Sequence, residues 1–136
     1  MKTHVLALAL VSAAAAPAFA AETLSLEVKT PARGGVVMVA LYADGAAFDR
    51  LKGPLRTARA APGARLTFEG LKPGRYAVMA FQDVNGDGRL NVWPIGLPKE
   101  PYGFSNGARG TFGPARWKDA AFDLKPGGGV EALSLK

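Results

Sequence analysis

Apolar and polar residues alternate with a period of two along several short stretches of the chain. From Thr23 to Lys29, Leu24, Leu26 and Val28 fall between polar Ser25 and Glu27, the pattern of a strand with one buried face. Gly34-Gly35 turns the chain into Val36–Tyr42, which is apolar on both faces and so predicts a central strand. Asp44 to Leu51 has room for one helical turn carrying Phe48 and Leu51 inward, and Leu55 to Ala60 reads as a weak edge strand. Leu66 and Phe68 alternate with Thr67 and Glu69. The connection Gly70-Leu71-Lys72-Pro73-Gly74 then predicts a hairpin into Tyr76–Phe81, since Pro73 presets a turn and Gly74 accepts positive φ. Ala120–Leu124 and Val130–Leu135 flank a second turn, Lys125-Pro126-Gly127-Gly128-Gly129.

About seven short strands punctuated by Gly and Pro, with no long helical period, predict an all-β fold. The expected form is a single antiparallel β-sandwich of immunoglobulin or transthyretin type. Leu-Lys-Pro-Gly occurs at 71–74 and again at 124–127, and because the flanks differ it reads as repeated turn chemistry. Leu71-x-Pro73-x-x-Tyr76 resembles the corner of such sandwiches, where a tyrosine hydroxyl bonds back to the turn.

One stretch breaks the pattern. Asp83 to Trp117 has neither period, and it holds seven of the 17 glycines and four of the 10 prolines. A long structureless excursion from a compact domain is either disordered or functional. Disordered segments are poor in aromatics, whereas this one carries Trp93, Tyr102, Phe104, Phe112 and Trp117. Those rings are expected to pack over the sandwich and order the loop.

The chain has 136 residues, enough for one domain. Lys2, the apolar run Val5–Ala16 and the small-residue end Ala18-Phe19-Ala20 form a secretory leader, with cleavage expected after Ala20. That leaves 21–136 as the folded domain, with no transmembrane segment after cleavage and a periplasmic or secreted location. Cleavage also removes the only histidine, His4, and the chain has no cysteine. Histidine-based triads, thiol nucleophiles, conventional zinc sites, haem and iron–sulfur ligation are thereby excluded from the mature domain. The formal charge of +6 is scattered, without basic runs, so nucleic acid is not an expected partner.

The entry to the long loop carries the one recognisable chemical pattern. Asp83-Val84-Asn85-Gly86-Asp87-Gly88-Arg89-Leu90-Asn91 matches the D-x-[DN]-x-[DN]-G opening of an EF-hand loop. A hard dication takes six or more oxygen ligands, and alternate side chains on a tight loop converge on one point. Asp83, Asn85 and Asp87 would supply side-chain oxygens, Arg89 its carbonyl, and Asn91 a ninth-position ligand, with Leu90 anchoring the loop. The twelfth position is Pro94 in place of the bidentate Glu, so a carboxylate must come from elsewhere; Glu100, Asp119 and Asp123 are the candidates. Calcium is the expected ion, bound weakly at roughly 10⁻⁴–10⁻³ M. The structural alternative is an Asx-rich turn whose side chains bond their own backbone.

This region resembles the DUF2141 family of exported bacterial proteins. The resemblance is carried by Gly74-Arg75-Tyr76-Ala77-Val78, by Phe81 through Asn91, by Gly96-Leu97-Pro98-Lys99-Glu100-Pro101-Tyr102-Gly103-Phe104-Ser105-Asn106, by Phe112-Gly113-Pro114 and by Ala120-Ala121-Phe122. It implies a β-sandwich and export, and it implies no activity. Two positions depart from the family pattern: Gln82, where members often carry His, and Asn91, where they often carry Asp.

Pro98 to Asn106 offers a second kind of site. Trp93 or Tyr102 would give a flat face, and Ser105 and Asn106 hydrogen bonds, to a carbohydrate or peptide; alternatively Tyr102 and Phe104 plug one end of the sandwich. A Ser105–Lys99 dyad would require a buried lysine and an oxyanion hole, which nothing in the sequence indicates, so no catalytic residue is assigned. The expected protein is a non-catalytic exported sandwich with a calcium loop that binds or stabilises an envelope partner. The competing expectation is a carbohydrate- or peptide-binding module with a purely structural Asp/Asn loop.

Overall fold

The structure, a computed structural model, describes residues 21–136; the leader expected at residues 1–20 falls outside them. Eight strands form two sheets: β1 (Glu22–Lys29), β2 (Val36–Tyr42), β3 (Arg56–Ala60), β4 (Arg65–Leu71), β5 (Gly74–Asp83), β6 (Tyr102–Phe104), β7 (Phe122–Leu124) and β8 (Gly129–Ser134). The smaller sheet has the order β4-β1-β8, and the larger β3-β2-β5-β6 with β7 also on β5. The expected all-β sandwich is what forms. Pairing is antiparallel except between β1 and β8, which run parallel.

The alternation of β1 turns Leu24, Leu26 and Val28 into the space between the sheets, where they meet Val37, Val39 and Leu41 of β2 and Val78 and Ala80 of β5. The two-faced apolarity of β2 has its reason in a second core on the outer face of the larger sheet. Tyr42, Ala77 and Met79 are covered there by Phe48, Phe104, Ala115 and Ala120. Phe48 comes from α1 (Gly45–Asp49), whose N-cap Asp44 accepts the Ala47 amide at 2.7 Å. Its ring stands edge-on to Tyr42, Phe104 and Trp117, with centroids 5.4, 6.0 and 6.1 Å away, the separations aromatic pairs prefer. Trp117 opens the short helix α2 (Trp117–Ala120).

The expected hairpin between β4 and β5 does not form. β4 pairs with β1 and β5 with β2, so the first Leu-Lys-Pro-Gly carries the chain from the smaller sheet to the larger. The second, after β7, carries it back to β8. A period-two pattern fixes which residues face inward but not which sheet a strand joins. Both corners are pinned by side chains. Tyr76 Oη donates to the Lys72 carbonyl at 2.6 Å, and the buried Glu22 carboxylate accepts the Gly127 amide at 2.9 Å.

The excursion from Asp83 to Trp117 is more structured than its sequence suggests. It contains β6 and a 3-10 turn at Ser105–Gly107. β7 covers Gly74–Tyr76 of β5 and β6 covers Met79–Phe81, which leaves Val78 between them on that edge. The Ser105 hydroxyl fills the gap, accepting the Val78 amide at 2.8 Å and donating to the Ala120 carbonyl at 2.7 Å. Of the five rings expected to pack over the sandwich, Tyr102, Phe104 and Trp117 do so. Trp93 and Phe112 stay exposed.

Removing the corner hydrogen bond tests this architecture. Tyr76→Phe keeps the ring in the core and strips the Lys72 carbonyl of its donor, so unfolding in urea is expected about 1–2 kcal/mol earlier in free energy, with an unchanged m-value. An unaltered midpoint removes the corner bond from the account.

Candidate functional site

β5 ends by delivering Asp83 to the outer face of the larger sheet, fully buried. The chain then turns through Gly86 and Gly88, both at positive φ (75° and 76°), a region glycine enters without steric cost. This bend wraps the backbone around the Asp83 carboxylate. Oδ1 accepts the Gly86 amide at 2.9 Å and Oδ2 the Gly88 amide at 2.7 Å.

Glu100 performs the complementary task from the far end of the excursion. It is 8% exposed, and its two oxygens accept the Val84 amide at 2.9 Å and the Asn91 amide at 3.1 Å. One carboxylate therefore holds the interior of the loop and another closes its neck. Such charge-assisted bonds are stronger than neutral ones. Among the described residues, no ion pair reaches Asp83 or Glu100.

Asn85, Asp87 and Asn91 form an exposed ring above them. Asn85 Nδ2 donates to Asn91 Oδ1 at 3.0 Å, and Asn91 Nδ2 donates to Asp87 Oδ2 at 2.8 Å, with Asn85 Nδ2 3.5 Å from the same oxygen. The other Asp87 oxygen accepts the Arg89 amide at 2.9 Å. The Asn91 amide group, then the Arg89 backbone N–H, hold the Asp87 carboxyl below its ordinary range. Leu90 packs against the outer core, as its anchoring position predicts.

The structure thus brings Asp83, Asn85, Asp87, Asn91 and Glu100 onto one loop, with Arg89 exposed beside them. Of the three carboxylates considered for closing it, Glu100 is the one that reaches. Asp123 pairs with Arg75 on β5 at 3.5 Å, and Asp119 lies on α2, where its carbonyl accepts the Asn106 side-chain amide. Among the described residues, no three acidic, His or Cys side chains gather as a metal cluster. A cation here would draw on carboxylate, amide and main-chain oxygens together.

The second predicted group does not assemble. Trp93 belongs to a hairpin beyond the loop, with the Lys99 ammonium 4.5 Å from its ring centroid. Tyr102 lies in β6, Ser105 is buried in its structural bridge, and Asn106 is held by bonds to Glu131 and Asp119. A Ser105–Lys99 dyad is absent for the same reason: the hydroxyl already has both partners, and the lysine sits on an indole. Sequence reasoning missed the hairpin because Pro94 and Pro98 interrupt any alternation. Its one legible signal is Pro94-Ile95-Gly96, a turn composition.

Neutralising the neck carboxylate separates loop order from global stability. Glu100→Gln retains one acceptor and loses the other, so it is expected to cost about 1–3 kcal/mol and to speed tryptic cleavage after the exposed Arg89. Cleavage at the wild-type rate contradicts the clamp.

A family model described as an uncharacterized protein conserved in bacteria (DUF2141) matches residues 28–130. No curated protein and no solved structure matches the chain. The match runs from the end of β1 to the start of β8 and takes in the larger sheet, the loop and the clamp, and the chain belongs to this family.

Proposed function

We propose that this member of the DUF2141 family is a non-catalytic binding module of the cell envelope whose Asp83–Asn91 loop takes a calcium ion. The observation that carries the reading is the pair of buried carboxylates, Asp83 and Glu100, bonded to backbone amides and, among the described residues, to no cationic side chain. Buried negative charge is costly unless it is compensated, and each carboxylate oxygen keeps a lone pair beyond the amide it accepts. The exposed ring adds the right donors: Asp87 is ionised, and half a turn of the Asn85 and Asn91 amides presents oxygen where nitrogen now stands. Asp83, Asn85, Asp87 and the Arg89 carbonyl would hold the ion, with Asn91 direct or through water and Glu100 closing the loop behind them. The ion would supply positive charge and rigidity, and no chemical step.

Export and an envelope setting rest on the leader at residues 1–20. The non-catalytic reading rests on the structural use of Ser105 and the separation of Lys99 from it. The dispersal of Trp93, Tyr102, Ser105 and Asn106 gives the carbohydrate or peptide reading no common surface.

Thermal unfolding under added calcium tests the proposal. At 100 times its dissociation constant the ion adds about 2.7 kcal/mol, which raises the melting temperature by several degrees. Asp87→Ala, at an exposed position that leaves the fold intact, is expected to abolish the shift, and magnesium to reproduce little of it. A melting temperature indifferent to calcium at about ten millimolar, well above the affinity range of extracellular sites, refutes calcium binding and leaves the loop a self-satisfied turn.

A further inference from the structure

Between Asn91 and Glu100 the chain makes a small hairpin that carries its apolar residues on the outside. Lys99 N donates to the Asn91 carbonyl and Trp93 N to the Leu97 carbonyl, both at 2.7 Å, while Gly96 N closes the tip onto the Trp93 carbonyl at 2.8 Å. Gly96 takes φ 83°, the left-handed residue that completes a three-residue hairpin connection. At the apex Ile95 is 78% exposed, with Leu97 at 59%, Trp93 at 54% and Val92 at 51%. The base of the hairpin is held by the bond from Asn91 N to Glu100.

We propose that this hairpin is a wedge for the surface of an anionic lipid bilayer. An exposed indole with three exposed aliphatic side chains, Val92, Ile95 and Leu97, suits the boundary between headgroups and acyl chains. The net charge of the domain complements such a surface. Lys99 lies over the Trp93 ring, its ammonium placed to remain at headgroup level while the ring enters. Arg89 is exposed in the adjoining loop but is offset there by the exposed Asp87, so the attraction to negative headgroups comes from Lys99 and from residues 21–136 as a whole, whose 16 basic against 11 acidic residues give a formal +5. Among the described residues, no helix is long and apolar enough to cross a membrane, and a wedge of this size anchors reversibly. The inference names the partner of the envelope reading above and rests on it. The calcium shift in melting temperature is measured without lipid, so either reading can fail alone.

The test is co-sedimentation of residues 21–136 with vesicles of phosphatidylethanolamine containing about a third phosphatidylglycerol, against vesicles of phosphatidylcholine alone. Binding is expected to the anionic vesicles, weakened by salt, with a blue shift of tryptophan emission and quenching by brominated acyl chains. Trp93→Phe should remove the quenched signal, since the other tryptophan, Trp117, packs against Phe48. Ile95→Ser with Leu97→Ser, both at exposed positions, is expected to weaken binding at least tenfold with an unchanged melting temperature. Three outcomes overturn the proposal: no binding to anionic vesicles, binding of undiminished strength by the double variant, or self-association without lipid that the double variant abolishes. The second marks adsorption by charge alone, and the third marks a second copy of the chain as the occupant of the hairpin.

Discussion

Every backbone N–H withdrawn from water must find an acceptor, and the segment between β5 and β6 has few carbonyls placed to serve. Asp83 and Glu100 supply the acceptors instead. Four amides, of Val84, Gly86, Gly88 and Asn91, point at these two carboxylates. The pair sits at the two ends of a segment that has no core of its own, so much of its order depends on them. The exposed Asn85–Asp87–Asn91 ring stands on the bend that Asp83 holds, and the hairpin stands on the neck that Glu100 closes. Loop, candidate cation site and candidate membrane wedge thus share one electrostatic foundation.

That foundation is itself placed by the sandwich. Asp83 is the last residue of β5, the strand that contributes to both cores, and it faces outward because Ala77, Met79 and Phe81 before it do. Glu100 is placed by β6, which begins just after it at Tyr102. β6 is tied not only to β5 but also to the end of the chain, where Tyr102 and Lys136 exchange backbone bonds at 3.2 and 3.0 Å. Gly103 permits this closeness, since a Cβ there would stand 2.6 Å from the Ser134 carbonyl oxygen. The two sheets and the clamp are consequently one mechanical unit.

Much of this was legible in the residues. The two-faced apolar run of β2 announced a central strand, Tyr76 announced its corner, and the spacing of Asp83, Asn85 and Asp87 announced a loop organised by side-chain oxygens. Glu100 was among the three carboxylates considered for closing that loop. What escaped has physical reasons. Leu-Lys-Pro-Gly encodes a change of direction, and hairpins and sheet-crossing corners use the same turn residues. β6 is three residues long, below the reach of periodicity. The parallel pairing of β1 with β8 joins strands from opposite ends of the domain and leaves no local trace. Ser105 resembled a nucleophile or a ligand contact, yet its surroundings make it a surrogate for a missing strand bond, and only the register of β5 with β6 and β7 reveals that.

The central claim is that two buried carboxylates hold an irregular, solvent-facing segment in place. Amide hydrogen exchange resolved by residue measures it directly. Val84, Gly86, Gly88 and Asn91 are expected to exchange at least tenfold more slowly than Asn85 among them, despite belonging to no strand or helix. Uniform, unprotected exchange across residues 84–91 would contradict the account.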